Sequence, residues 1–264
     1  MSRNDRPLIL VSNDDSYLAK GLHTLMERMT HLGEVIAVSP DNPQSGMGMA
    51  ITVNGAMRVY ETDSPVAGAR LFRCNGTPTD CVKLAMHSVL ERKPDLVVTG
   101  INHGSNTAIN VLYSGTMGAA FEGCAFGIPS IGFSLTDHFA TDFQGAVPFV
   151  DSISRLTLES GLPQGICLNV NVPHGKPYPT EMRFVRECKG KWSDEYEKYI
   201  DPYNRPFYLL KGEFINLEPE AEDTDDWCVN HGIVSIVAEQ LDRTAFSSPH
   251  SVDQLPSWLL KLAK

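Results

Sequence analysis

The chain has 264 residues, of which 42% are hydrophobic and 20% are charged, a composition typical of a globular protein with a substantial core. The formal net charge is −10 with acids spread along the chain, so the sequence offers no basic surface of the kind that binds duplex nucleic acid. An anionic substrate would therefore need a cation at its binding site.

The beginning of the sequence and the cysteines predict a cytoplasmic protein. The first residues, MSRNDRPLILVSNDD, contain only a short apolar run that acids follow at once, unlike a secretory signal peptide. No apolar stretch is long enough to cross a membrane. The six cysteines are scattered without a CxxC pair, so we expect reduced thiols, mostly in the core, and neither disulfides nor zinc ligands.

Strand-length apolar runs alternate with helix-length segments through the first two thirds of the chain. The predicted strands are Leu8–Ser12, Glu34–Ser39, Leu96–Ile101, Ser130–Ser134 and Ile166–Val172. The predicted helices are Leu22–Met29, Cys81–Leu90, Thr116–Phe126 and Phe143–Leu158. This alternation is typical of right-handed βαβ crossovers. We therefore predict an α/β fold with a doubly wound, mostly parallel Rossmann-like sheet, which binds ligands at the carboxyl ends of its strands.

From about Met182 the sequence becomes rich in aromatic and charged residues, and the alternation stops. This composition favours an extended C-terminal hairpin or arm with a turn at Asn204-Arg205-Pro206. A further strand is predicted at Gly232–Asp242 and a short amphipathic tail at Val252–Leu262. We expect a single domain, 1–264, with its core at about 1–181 and 227–248, its arm at about 182–226 and its tail at 249–264.

Two consecutive carboxylates, Asp14 and Asp15, follow the first predicted strand. Asn and Asp are common in turns and at helix N-caps, which accounts for Asn13 and for each aspartate taken singly. Adjacent carboxylates repel each other, however, and a divalent cation between them removes the repulsion. The pair therefore also indicates a metal site.

Two further oxygen-rich regions are expected at the same edge of the sheet. Ser45 lies in a glycine-bearing loop after the second strand, and Asn102 ends the third. The segment Ser114-Gly115-Thr116 precedes a helix, where backbone N–H groups and the helix dipole suit a phosphate. Each residue alone is an ordinary loop or capping residue. Their convergence on one edge favours a binding site.

The chain contains, in this order, the motifs LVSNDD, SPDNPQSG, NGTPTDCV, PDLVVTGINHGSN, YSGTMGAAFEGCAFGIPSIGFS, LNVNVP and DTDDWCVNHGIVSI. In order and spacing they resemble the motifs of the SurE family of survival proteins. The resemblance runs from about Pro7 to Thr244, nearly the whole chain. Two positions differ: Ser16 stands where the family usually has glycine, and Lys20 adds a cation close by.

The resemblance implies a divalent-metal-dependent phosphatase of nucleoside 5′- and 3′-monophosphates, with some action on short polyphosphate. It places the metal ligands at Asp14, Asp15, Ser45 and Asn102, and the phosphate-binding residues at Asn106, Ser114, Gly115 and Thr116. Oxygen ligands favour Mg²⁺, Mn²⁺ or Ca²⁺, and we expect one cation per subunit. The resemblance also implies a homodimer or homotetramer that exchanges its C-terminal arm, although an arm folded onto its own sheet is the alternative.

For the reaction, we predict that a metal-activated water attacks the phosphorus in line and that Asp14 or Asp15 accepts its proton. His103 is a candidate acid for the leaving oxygen, although a lone histidine is more often structural. Asp80 is expected to cap a helix, together with Thr77 and Thr79.

Two other classes of protein share part of the pattern. Response-regulator receiver domains also carry an acidic pair after the first strand and bind Mg²⁺. They are much shorter, however, and need an aspartate where this chain has Asn102. A dinucleotide-binding dehydrogenase needs G-x-G-x-x-G after the first strand, where this chain has NDDSYLAKG.

Overall fold

The structure, a computed structural model, describes residues 6–244, so the predicted tail at Val252–Leu262 lies outside the described residues. The strands are β1 (Leu8–Ser12), β2 (Glu34–Pro40), β3 (Val59–Thr62), β4 (Ala69–Cys74), β5 (Leu96–His103), β6 (Ser130–Leu135), β7 (Ile166–Val172), β8 (Met182–Phe184), β9 (Gly190–Ser193), β10 (Tyr196–Ile200), β11 (Pro206–Leu210), β12 (Glu213–Asn216) and β13 (Val234–Gln240). The helices are α1 (Lys20–Thr30), α2 (Pro78–Leu84), α3 (Gly115–Ala125), α4 (Val147–Ser160) and α5 (Asp225–Asn230).

Nine strands form the main sheet in the order β3-β4-β2-β1-β5-β6-β7-β13-β8. The six strands from β4 to β7 in this order are parallel to one another. Numbered along the chain among themselves, these six have the order 3-2-1-4-5-6, which is that of a Rossmann sheet. The predicted α/β fold with a doubly wound, mostly parallel sheet is therefore confirmed.

Both faces of the sheet are covered by helices, which explains the continuous apolar character of β1. Ile9 and Val11 face one way and pack in a cluster with residues of α1 and α4. Leu8 and Leu10 face the other way, with residues of α2 and α3. A strand that is buried on both faces reads as an unbroken apolar run, because neither face meets water.

The order of the strands reverses between β1 and β5. The chain leaves β1 for β2 on one side and later enters β5 on the other, and both strands pair with β1 in parallel. Ser12 at the end of β1 lies in register with Thr99 of β5. The loops that follow these two strands therefore begin at the switch point, where doubly wound sheets bind ligands.

Three strands of the main sheet were not predicted: β3, β4 and β8, the last of which falls in the segment expected to form the arm. The edge strand β3 is short and largely exposed, so it lacks an apolar face. The strand β4 is mostly buried, but Arg70 and Arg73 interrupt its apolar pattern. Arg70 forms a two-pronged ion pair with Glu61 of β3, so its charge joins the two strands.

The helix predicted at Cys81–Leu90 is α2 followed by one π-helical turn over Ala85–Val89. Thr77 caps α2 by accepting a hydrogen bond from the N–H of Asp80, and the Asp80 carboxylate accepts one from the N–H of Thr77. This reciprocal pair is a capping box. The prediction that Asp80 and Thr77 cap a helix is confirmed, whereas Thr79 does not share this role, because its buried hydroxyl has no hydrogen-bond partner among the described residues.

The arm region carries two small antiparallel ribbons, one of β10 with β11 and one of β9 with β12. Asn204 lies in the turn between β10 and β11 with a φ of 60°, as expected for a turn asparagine. Every residue of β10 and β11 is exposed. The segment's first strand, β8, joins the main sheet beside β13. Within residues 6–244, no helix combines the length and the apolar character needed to cross a membrane.

Candidate active site

A cavity of about 370 Å³ opens at the carboxyl ends of β1 and β5. Asp14, Ser45, Asn102, Asn106 and Ser114 line it, so the fold brings together five residues that the sequence placed in the site. The three other predicted residues, Asp15, Gly115 and Thr116, lie next to these lining residues.

A larger cavity, of about 580 Å³, lies at the opposite edge of the sheet, beside Leu8 and Glu34. Its two arginines, Arg70 and Arg92, pair with Glu61 and Asp95. These cations are already neutralised by protein acids, and the edge is that of the amino ends of the strands. We therefore place the site in the smaller cavity.

Asp14 is nearly fully buried, with 3% of its surface exposed. Burial and, next, the negative charge of Asp15 raise the pKa of Asp14 to about 6. The hydroxyl of Thr116 opposes this by donating a hydrogen bond to Oδ1, at 2.5 Å, which lowers the pKa. A buried carboxylate beside a second one is the arrangement that a cation stabilises.

Asp15 is held by His103. Its Oδ2 accepts a hydrogen bond from the backbone N–H of His103 at 3.2 Å and lies 2.9 Å from the ring Nδ1. The ring Nε2 is 3.1 Å from the carbonyl oxygen of Ala140, and Phe143 packs against the ring edge-on. A neutral imidazole donates to one of these two acceptors and an imidazolium donates to both. In either form the ring is fixed in place and orients Asp15.

Asn102 is aimed by an irregularity in β5. Thr99 pairs with Gly132 and Asn102 with Ser134, so β5 has one residue more than β6 between these pairs. A bulge of this kind turns the next side chains to a new direction. The amide nitrogen of Asn102 then donates to the carbonyl oxygen of Gly104 at 2.9 Å, and the side chain lines the cavity.

Three side-chain oxygens at this site accept no hydrogen bond from any residue within 6–244. They are Oδ2 of Asp14, Oδ1 of Asp15 and Oδ1 of Asn102. In each of these side chains the other polar atom is hydrogen-bonded within the protein. Hydrogen bonds of this kind orient metal ligands before the metal binds. The donor set is all oxygen and fits a hard divalent cation.

Ser45 lies in an exposed loop that is tied to the site at both ends. The N–H of Gln44 donates to the carbonyl oxygen of Asp14 at 2.7 Å, and the N–H of Gly48 donates to that of Tyr113 at 2.9 Å. Gly118 of α3 packs directly on the loop, because a Cβ there would lie 2.2 Å from the oxygen of Gly48. These contacts anchor the loop, and Ser45 lines the cavity.

The hydroxyls of Ser114 and Thr116 are both used inside the protein. Ser114 caps α3 by accepting a hydrogen bond from the N–H of Met117 at 3.0 Å, and Thr116 donates to Asp14. The first N–H groups of a helix have no helical partner and carry the positive end of its dipole. An anion at this place would therefore meet the backbone of α3 and not these two hydroxyls.

Asn106 is held by two asparagines of β7. Its N–H donates to Oδ1 of Asn171 at 2.8 Å, and its carbonyl oxygen accepts from Nδ2 of Asn169 at 2.9 Å. Its own amide nitrogen donates to Ser134 at 2.8 Å. The motif LNVNV thus supplies two buried amides that fix the loop next to the cavity.

Nine residues that line the cavity were not predicted as site residues. His138 follows β6, and its ring packs against Gly104, where a Cβ would lie 2.3 Å from the ring. The rule that pointed to Asn102, namely a polar residue after a parallel strand, could have found it. The other eight come from loops, from a short helical turn and from the arm, whose positions no periodicity predicts: Gly46, Ser105, Thr107, Asn110, Tyr113, Trp192, Phe214 and Asp226.

Comparison with known proteins assigns the family. The family model described as "Survival protein SurE" matches residues 9–194. The chain belongs to the SurE family. A protein named 5′-nucleotidase SurE from Bacteroides fragilis is 48% identical over 261 residues, which cover 97% of this chain and 99% of the relative. Another of that name, from Phocaeicola vulgatus, is 44% identical over 98% of this chain and 100% of its own length.

The crystal structure of the SurE protein from Aquifex aeolicus has the same fold. It superposes with a TM-score of 0.79 at 35% identity, covering 94% of this chain and 99% of that one. Membership of the SurE family confirms the resemblance in the motifs. It also excludes the receiver-domain and dehydrogenase alternatives.

Proposed function

We propose that this SurE protein is a divalent-metal-dependent 5′-nucleotidase, which hydrolyses nucleoside 5′-monophosphates to nucleoside and phosphate. The observation that carries the proposal is the set of three oxygens without a protein partner on Asp14, Asp15 and Asn102, next to the first turn of α3. A cation site beside an anion site is what a phosphate monoester requires. The name 5′-nucleotidase of the relatives supports the substrate class.

Asp14, Asp15, Ser45 and Asn102 are the residues that would hold the cation. Their oxygen chemistry suits Mg²⁺ or Mn²⁺ and also permits Ca²⁺, with one ion per subunit. When bound, the cation supplies Lewis-acid polarisation of the phosphate and lowers the pKa of the attacking water.

The protein's own groups complete the reaction. Asp14, held by Thr116, or Asp15, held by His103, would accept the proton of the attacking water. The start of α3, Ser114-Gly115-Thr116, and the side chain of Asn106 are proposed to bind the phosphate oxygens as charge develops. Each well-placed donor of this kind lowers the activation free energy by about 3 kcal/mol. His103 acts by positioning Asp15, since both its ring nitrogens already have partners.

The same site is proposed to accept nucleoside 3′-monophosphates and, as a side activity, short polyphosphate. Its metal ligands and phosphate donors contact only the phosphate end of a substrate, which every one of these molecules shares.

The arm is proposed to join subunits into a homodimer or homotetramer. The ribbon of β10 and β11 is exposed along its whole length and includes Tyr196, Tyr199, Tyr203 and Phe207. An isolated two-stranded hairpin is at best marginally stable in water, so a neighbouring subunit would stabilise it. We further propose a single domain, as outlined from the sequence, and a cytoplasmic location, which the six buried free thiols favour.

The test is release of phosphate from AMP in the presence of Mn²⁺, with and without EDTA. We expect hydrolysis that EDTA abolishes and that Asp14→Asn or Asp15→Asn removes. Asp63→Asn, an exposed acid far from the site in sequence, serves as the matched control and should retain activity. Hydrolysis that persists in EDTA, or in both site variants, would contradict the proposal.

A further inference from the structure

We infer that Trp192 stacks on the nucleobase of the substrate and so makes the arm part of the substrate site. The inference rests on the proposed function and extends it, because it assigns the end of the cavity that the phosphate chemistry does not use. The cavity that Asp14 and Asn102 line is also lined by Tyr113, Trp192 and Phe214. One continuous cavity therefore joins the acid pair to three aromatic rings.

The size of this cavity suits a small organic ligand and not a phosphate ion alone. Its volume of about 370 Å³ lies within the range of ligand pockets, roughly 300–1,000 Å³. Pockets of that kind combine apolar and aromatic walls with a few placed polar groups. The polar groups here are at the carboxyl ends of β1 and β5, and the aromatic walls come from the arm and from the turn before α3.

The indole of Trp192 is held in a fixed orientation. Its Nε1–H donates to Oδ1 of Asn110 at 2.9 Å. Phe214, its partner across the ribbon of β9 and β12, forms a T-shaped pair with it, with the ring centres 6.0 Å apart. The polar atom of the indole is thus satisfied within the protein, and the ring still lines the cavity.

The exposure of this ring is unusual for a tryptophan with fixed contacts. Trp192 keeps 37% of its surface exposed although its N–H is hydrogen-bonded and Phe214 packs against the ring. Tyr113, directly before the capping residue Ser114, also lines the cavity and is half exposed. Aromatic rings that remain open beside a phosphate site are what a nucleobase needs, because every base has a π-face to stack. The arrangement therefore favours purine and pyrimidine nucleotides alike over phosphate esters without a base.

The inference is tested by comparing AMP with ribose 5-phosphate, which keeps the phosphate and the sugar but lacks the base. For Trp192→Ala, and for Trp192→Leu, which keeps apolar bulk without a π-face, we expect kcat/KM for AMP to fall by about 10-fold to 100-fold. The value for ribose 5-phosphate should stay unchanged. Trp192→Phe, which keeps an aromatic face, should retain most of the activity on AMP. Equal loss on both substrates would assign the residue a structural role and overturn the inference, as would no loss on AMP.

Binding of adenosine separates this inference from the proposed function. Adenosine has a base but no phosphate, and its stacking should quench the tryptophan fluorescence of the wild type and of Trp227→Phe, but not of Trp192→Phe. Trp227 is the matched control, since it stacks on His231 and does not line the cavity. A wild type that hydrolyses neither phosphate ester, yet shows this quenching, would refute the nucleotidase and keep the base site. Quenching that persists in Trp192→Phe, or is absent from the wild type, would refute the base site.

Discussion

The hydroxyl of Thr116 donates a hydrogen bond to Oδ1 of Asp14 at 2.5 Å. Thr116 is the second residue of α3 and is completely buried, so this contact joins the start of α3, the proposed phosphate side of the site, to the acid pair. It occupies one oxygen of Asp14 and leaves the other for a cation. The two halves of the site are therefore coupled through a single side chain.

Replacing Thr116 by valine removes this hydrogen bond while keeping the shape of the side chain. We expect the affinity for Mn²⁺ to fall by about 10-fold to 100-fold, the usual effect of losing a group that orients a metal ligand. Thr116→Ser keeps the hydroxyl and should bind Mn²⁺ as the wild type does. Isothermal titration with Mn²⁺ measures both variants, and equal affinities of the valine variant and the wild type would contradict the role of this contact.

Gly115 allows α3 to begin directly against Asp14. A Cβ at this position would lie 2.8 Å from the Cβ of Asp14 and 3.0 Å from its Oδ2. We expect Gly115→Ala to displace the carboxylate and to lower kcat by about 100-fold, as small misplacements of catalytic groups do. The control is Gly55→Ala, where the nearest atom is the flexible methyl of Thr52 at 3.2 Å. Phosphate release from AMP measures both, and similar rates for the two variants would refute the steric argument.

The parallel core was predictable because its strands are buried on both faces, because α1 and α4 are amphipathic, and because α3 consists almost entirely of small and apolar residues. Leu8–Ser12 and Ile166–Val172 were predicted with the observed bounds, and the other core strands to within two residues. The strands β3 and β4 could not be found this way. β3 has no buried face, and in β4 the arginines Arg70 and Arg73 interrupt the apolar pattern, so neither strand has the local signal of a core strand.

The sequence could predict which residues of the site lie near one another, because the order of strands along the chain places their ends at one edge of the sheet. Polar residues after parallel strands share an edge of the sheet, which placed Asp14 and Asn102 together before any coordinates. The directions of the side chains were not predictable in this way. Thr116 was expected to bind phosphate, but its hydroxyl is turned to Asp14, and Trp192 reaches the cavity only because the arm folds over it.

Ser16 occupies a backbone conformation that favours glycine. Its φ is +87°, and the amide of Asn13 fixes the turn by donating to the Ser16 carbonyl oxygen at 2.9 Å. A side chain in this region costs about 1–2 kcal/mol, part of which glycine's greater freedom in the unfolded chain offsets. We expect Ser16→Gly to raise the free energy of unfolding by about 1 kcal/mol. Urea unfolding measures it.

Ser16→Ala is the control for this prediction, because it keeps the Cβ and therefore the strain. It also loses the weak hydrogen bond that the serine hydroxyl accepts from the N–H of Leu18 at 3.4 Å. Its stability should equal or fall below that of the wild type. A glycine variant no more stable than the alanine variant would show that the turn carries no strain.

Glu239 makes the stability of the fold depend on pH. It lies on β13 with 6% of its surface exposed, and its Oε1 accepts a hydrogen bond from Asn169 at 3.2 Å. Burial, and next the charge of Glu187, raise the pKa of Glu239 from its ordinary value of 4.5 to about 8. Between these two values the folded protein keeps a proton that the unfolded chain releases. The free energy of unfolding therefore falls as the pH rises through this window.

Glu239→Gln should remove this dependence, because glutamine stays neutral and its amide oxygen can still accept from Asn169. We expect the variant to match the wild type in Tm at about pH 5 and to exceed it by several degrees at about pH 8 or above. Glu222→Gln, an exposed acid with the same change of charge, should show no such gain. Thermal unfolding across this pH range measures all three proteins. The argument would be refuted if the wild type became more stable as the pH rises from about 5 to 8 and the glutamine variant did not, because the pH dependence would then have the opposite sign.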